Sequence, residues 1–164
     1  MALIKDGKLV ADAFVDASGA QTIPATGAVI VSHEQWQAQR EPLLARAAPL
    51  GIRLRSDQPP DLIAADLRHF ALVALEFPKF RDGRAYSYAR LLRERYGFAG
   101  ELRAVGDVLL EQLFFMLRTG FDAFELQSDD PLAAYRTALS DFSVWYQPTG
   151  DGRPTAIQLR HARR

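Results

Sequence analysis

The sequence contains no cysteine. That excludes disulfides, thiol redox chemistry, Cys-ligated iron–sulfur clusters and thiolate-ligated haem. Histidine is scarce: His33, His69 and His161 stand far apart, without the spacing of metal ligands, so no metal centre is expected. An excess of positive charge is also missing. Twenty Lys and Arg balance 20 Asp and Glu, which argues against a general nucleic-acid binder, since such proteins carry net positive charge to neutralise phosphates. No apolar run approaches the length of a membrane span, and the first residues, MALIKDGKLV, do not read as a signal peptide. A membrane partner is therefore not expected, and the cytoplasm is the expected location. The sequence also lacks G-x-G-x-x-G, a Walker loop, G-x-S-x-G and H-E-x-x-H, so no cofactor is indicated.

Among the basic residues, lysine is rare: 3 of the 20, the rest being arginine. A planar guanidinium suits bidentate contact with carboxylates and oxyanions. The length of 164 residues suits one domain with a real core. Residues 1–26 read as an N-terminal hairpin and loop, 27–141 as a core of βα repeats, and 142–164 as a C-terminal hairpin and tail.

The chain is organised around Ala71 to Leu126, where three apolar runs alternate with two helical patterns. Counting Ala28–Ser32 and Ile52–Ser56 before it, five βα units are predicted, with the spacing of parallel crossovers. Asp6-Gly7 predicts the turn of a hairpin spanning Leu3 to Val15. Ser32 and Gln35 predict a capping box, opening a helix expected to run to about Ala48. Further helices are expected from about Ala85 to Tyr96, from Asp107 to Gly120, and from Pro131 to Ser140. Phe142–Gln147 and Thr155–Arg160, on either side of PTGDGRP, read as the closing hairpin.

Charges inside the strands refine the architecture. Arg53 and Arg55 share a face of one strand, Arg103, Val105 and Asp107 one of another, and Glu125 and Gln127 one of a third, each with apolar residues opposite. Period-two alternation gives a sheet one apolar and one polar face. A parallel sheet with helices on one side and charges on the other resembles part of a (β/α) barrel, whose complete form needs eight units. The expected fold is thus α/β, with about five βα units in a parallel, incomplete, barrel-like sheet and a hairpin at each end. A homodimer could close it. The alternative is an open α/β sandwich.

Ligands in such folds sit at the carboxyl ends of the strands. Reading those ends gives Glu76, Arg103 and Asp107 as an acid–base and charge-stabilising group, and Lys79, Arg81, Arg84 and Arg55 as an anion-binding rim. The competing reading of Arg103 is a ladder of ion pairs with Glu76 and Glu125, because a buried charge must be paired.

FPKFRDGRAYSYARLLR and GELRAVGDVL resemble the core of an uncharacterised bacterial family, domain of unknown function nine-three-four, over roughly Gly27 to Gln147. Members often carry the label "oxidoreductase probably involved in sulfite reduction", because their genes lie beside those for assimilatory sulfite reductase. The resemblance implies a role in sulfate assimilation, with sulfite reductase subunits or a small oxyanion as partners. It puts emphasis on Phe77, Pro78, Arg81, Asp82, Gly83, Arg84, Ser87, Arg103, Gly106 and Asp107. Sulfite reduction itself runs through sirohaem and a Cys-held cluster, so a chain without cysteine is not that catalytic subunit. Two further functions stay open: a small enzyme acting on a sulfur- or phosphate-bearing metabolite, and a structural assembly module.

Overall fold

The computed structural model describes residues 1–140 and 142–162. Asp6 and Gly7 take φ values of 50° and 73°, the left-handed pair a type I′ turn requires. Ala2–Lys5 (β1) and Lys8–Val10 (β2) therefore pair antiparallel. Phe14–Asp16 (β3), Ala28–Ser32 (β4), Leu50–Leu54 (β5), Leu72–Phe77 (β6), Glu101–Gly106 (β7) and Ala123–Leu126 (β8) lie parallel, and β1 joins β8 antiparallel. The sheet order is β2-β1-β8-β7-β6-β5-β4-β3.

This order forces a curl. β2 and β3 form opposite edges of an eight-stranded sheet, which laid flat would stand about 34 Å apart at roughly 4.8 Å per strand. Only Ala11, Asp12 and Ala13 join them, and so short a stretch spans at most about 14 Å. The sheet bends round into a half-barrel, and the crossing residues pass over its concave face. The barrel-like reading of the strand alternation is the fold found.

Helices cover the convex face: His33–Ala38 (α1), Arg40–Leu44 (α2), the 3₁₀ segment Pro60–His69, Arg84–Arg90 (α3), Leu113–Thr119 (α4) and Pro131–Ser140 (α5). Ile4, Ile52, Leu75, Leu102 and Phe124 point outward from the strands and are fully buried against Trp36, Ile63, Leu92 and Met116. Each such side chain contributes about 1.5–3 kcal/mol by leaving water. The concave face holds a smaller apolar group, Ile30, Leu72, Ala74 and Val105, with Phe14 packed on it.

Local signals explain several ends. Ser32 Oγ accepts from the Gln35 N–H, and Gln35 Oε1 accepts from the Ser32 N–H, the predicted capping box. The Asp130 carboxylate accepts from the Ala133 N–H at the start of α5. Gly120 ends α4 at φ 110°.

Three expectations are corrected. The first hairpin stops at Val10; Phe14–Asp16 leaves it for the far edge of the sheet, where it pairs with β4. The expected helix from Ser32 to Ala48 is two short helices broken at Gln39, whose backbone (φ −127°, ψ 30°) departs from helical values. The C-terminal hairpin does not form: Phe142–Gln147 is not a strand, and Ala156–Ala162 is a helix (α6). Thr155 and Gln158 make a second capping box, each side chain accepting from the other's backbone N–H. The segment before it is fastened by Arg118, whose guanidinium donates to the Gln147 carbonyl and lies over the Trp145 ring. Asp141, Arg163 and Arg164, which the sequence divides between the core and the tail, lie outside the described residues.

Candidate functional site

Arg53, Glu76, Arg103 and Glu125 share the concave face, as the alternation requires. In the register Arg53 lies opposite Ala74, Ala74 opposite Arg103, and Arg103 opposite Ala123, with Glu76 and Glu125 two residues on from Ala74 and Ala123. They divide into two groups.

The first is closed. Arg103 is 1% exposed, although arginine is almost never fully buried without partners. It donates to Asp12 at 2.7 and 3.0 Å, to Glu101 at 2.8 Å and to Glu125 at 3.3 Å, and Phe14 lies against it. Asp12 sits in the β2–β3 crossing, so Arg103 bolts that crossing over the hollow. Burial works against the Arg103 charge, but the surrounding carboxylates outweigh it and hold the guanidinium protonated. Burial likewise pushes Asp12 up, yet hydrogen bonds from Arg103 and the Phe14 N–H bring its carboxyl below the usual range. Glu125 is raised: its burial exceeds what the longer contact to Arg103 returns. Arg103 is thus an internal clamp. The ion-pair ladder exists, with Asp12 and Glu101 in the place expected for Glu76.

The second group lines an open polar cleft of about 680 Å³ at the carboxyl ends of β4, β5 and β6. Arg53 donates to Asp16 at 2.9 Å and pairs with Glu76 at 3.4 Å. Arg55 meets Glu34 at 2.7 Å and Asp57 at 3.3 Å. Ser18, Gly19, Ala20 and Gln58 complete much of the wall. Beside it the loop after β6 folds back: Arg84 donates to both oxygens of Asp82 and to Ser56 Oγ, and the Tyr88 hydroxyl donates to the Ser56 carbonyl. Arg84 draws the Asp82 carboxyl far below its ordinary range.

The expected residues are therefore brought together only in part. Glu76 and Arg55 line the cleft, and Arg84 adjoins it through Ser56. Lys79 and Arg81 stand exposed in the loop, with no carboxylate partner among the described residues. Asp107 joins neither group. Gly106 turns at φ 91°, where an added Cβ would lie 2.6 Å from the Phe77 carbonyl oxygen, and the chain leaves the sheet there. Asp107 is consequently exposed, and its N–H caps Phe77 O. Glu76, Arg103 and Asp107 do not assemble as one acid–base group.

Asp16, Glu34 and Arg53 were not among the expected site residues. Arg53 is signalled by its strand alternation. Asp16 reaches the cleft only because β3 sits at the far edge, which no local pattern reports.

Glu34 offers a test of the cleft's electrostatics. The N–H at its own helix start, with help from Arg55 and Ser32, lowers its carboxyl from 4.5 to about 2. A depressed carboxyl contributes stability above its unfolded value and loses it as pH falls through the folded one. Wild-type stability is expected to drop between pH 4.5 and 2 more steeply than that of Glu34→Gln, read by thermal melts across that range. The exposed position keeps the difference small.

Among the described residues no group of three or more His, Asp or Glu side chains is disposed to hold a metal ion, and no helix is long and apolar enough to cross a membrane.

The molecule is a curled α/β half-barrel with a polar cleft at the carboxyl ends of its strands. Residues 51–157 match the family model described as "Bacterial protein of unknown function (DUF934)", and the chain belongs to that family. No curated protein matches its sequence.

Proposed function

We propose that this protein is an accessory factor of assimilatory sulfite reduction that docks on the reductase through the loop Pro78–Arg84. Lys79 and Arg81 carry this reading. They flank Phe80, which is 58% exposed, and no carboxylate among the described residues neutralises them. The cleft beside them is in the opposite condition: Arg53, Arg55 and Arg84 already face five carboxylates, Asp16, Glu76, Glu34, Asp57 and Asp82. A small oxyanion entering it would have to displace those acids. An aromatic ring between two free cations suits the acidic surface of a protein partner, since aromatic residues and arginine anchor interfaces and rim charges steer the encounter. The gene-neighbour label of the family supplies the partner.

The test is binding of purified sulfite reductase holoenzyme to the immobilised wild type and to Lys79→Glu/Arg81→Glu. The wild type is expected to bind, and the double reversal to weaken binding by at least about tenfold, equivalent to 1.4 kcal/mol. Raised salt should weaken the wild-type complex. No wild-type complex, or one that ignores the reversal, overturns the proposal. Calorimetry with sulfite, sulfate and phosphate is expected to be silent; saturable heat abolished by Arg55→Ala would instead place the function in the cleft.

A further inference from the structure

On the convex side of the same rim lies a second hollow, of about 780 Å³, walled by Phe80, Tyr86, Phe114, Phe115 and Phe142. Its size is that of a small-molecule site. The wall is already assembled: Phe114 packs on Phe115 and Phe142 with ring centroids 5.5 and 5.1 Å apart, and Phe115 lies 6.3 Å from Phe142. Yet Phe80, Phe115 and Phe142 are each half or more exposed, so ring faces remain free to stack.

Glu111, Gln112 and Thr119 break this apolar lining, and of the three Gln112 is the buried one. Gln112 is 8% exposed, and its Oε1 is buried with no donor among the described residues. Buried carboxamide oxygens are almost always paired, and an orphan calls for a partner that the described residues do not supply. The terminal torsion of a glutamine is broad, so a turn about it can offer the acceptor to the hollow that Gln112 lines.

We infer that this hollow binds a flat aromatic molecule carrying an N–H donor on its edge, its ring stacked on Phe115 and Phe142 and its N–H received by Gln112 Oε1. Aromatic walls select a planar apolar body, and a buried acceptor left unpaired can orient it by one hydrogen bond. The hollow shares Phe80 with the Pro78–Arg84 docking loop, but Gln112, Phe115 and Phe142, which the test reads, lie outside that loop, so the failure of either proposal is distinguishable from that of the other.

The probes are indole, which has the ring and the donor, and N-methylindole, which has the ring alone. In an amide NMR titration of the full chain, indole is expected to shift residues 111–119, 138 and 142. N-methylindole should bind roughly tenfold more weakly, the loss of about one hydrogen bond. Gln112→Leu should bind both equally and melt no lower than the wild type, since it removes an unpaired acceptor and keeps the volume. Phe115→Ala should weaken both probes alike. No shifts in that region at millimolar indole, or equal affinity of the wild type for the two probes, overturns the inference.

Discussion

Arg103→Met is expected to cost about 3–5 kcal/mol of folding stability at neutral pH, the scale for breaking a buried ion pair from one side. For a chain of this size that lowers the melting temperature by roughly 10 °C or more. The loss does not come from the guanidinium alone. Its removal leaves Asp12, Glu101 and Glu125 facing one another in the hollow, with Lys5, 2.7 Å from Glu101, the one cation paired with them among the described residues. Burial then governs Asp12 and Glu125 and raises their pKa values above those of the unfolded chain. Such groups contribute stability at low pH and lose it as pH rises through the folded value. The deficit of Arg103→Met should therefore narrow between pH 7 and 4.5, read by urea unfolding at both. Arg103→Lys should fall between the two, keeping the charge but not the fork that spans Asp12 and Glu101. Hydrogen exchange should show β3 opening first, because the clamp fastens the crossing that leads into it. A uniform loss at both pH values would mean that Arg103 acts by packing rather than by charge.

The same residue shows what the sequence could and could not tell. Period-two alternation places Arg53, Glu76, Arg103 and Glu125 on one face, and the strands keep to it because a one-residue slip would put apolar side chains in the hollow. Which acid meets which base is a question of register and curvature. Asp12 lies 91 positions before Arg103, and nothing between them marks the contact. The three-residue link between opposite edges of the sheet was the missed clue: Leu3–Val15 reads as one continuous hairpin only if its last residues stay beside the first. At the other end, Thr155–Arg160 alternates like a strand, but the Thr155-x-x-Gln158 cap was legible and local hydrogen bonding decided for helix. Asp107 was misplaced for a different reason: alternation assumes extended backbone, and Gly106 ends it. The loop Pro78–Arg84 stands out as cationic, yet only the fold separates Arg84, held by Asp82, from Lys79 and Arg81, which meet no carboxylate among the described residues.

Arg93→Met is expected to cost about 3 kcal/mol, for a reason no sequence pattern signals. Arg93 sits in the single π turn, Leu91–Arg95, that ends the α3 helix. Its Nε donates to the Gly120 carbonyl at 2.9 Å, and Nη1 donates to the carbonyls of Phe98 and Gly100 at 2.6 and 2.7 Å. Nη2 reaches Asp122 at 2.6 Å, whose other oxygen accepts from the Leu102 N–H at 2.8 Å. One side chain thus satisfies three loop carbonyls and ties the end of α3, the cap of α4 and the entries to β7 and β8. Hydrogen bonds from a charged donor contribute about 1.5–3 kcal/mol each where buried; Arg93 is 23% exposed, so water recovers part of the total. Gly120 belongs to the same device, because a Cβ there would lie 2.5 Å from Arg93 Cγ. Asp122 separates the charge from the carbonyls. Burial already raises its pKa, with Arg93 and the Leu102 N–H pulling the other way. Without Arg93 the half-buried carboxylate loses its cation and keeps the Leu102 N–H, so Asp122→Asn, costly in the wild type, should cost little or restore stability in the Arg93→Met background. Chemical denaturation of the four members of this cycle gives the coupling, expected at 1 kcal/mol or more for a contacting pair. If the two substitutions simply add, Arg93 holds the three carbonyls alone, and the short contact to Asp122 is energetically idle.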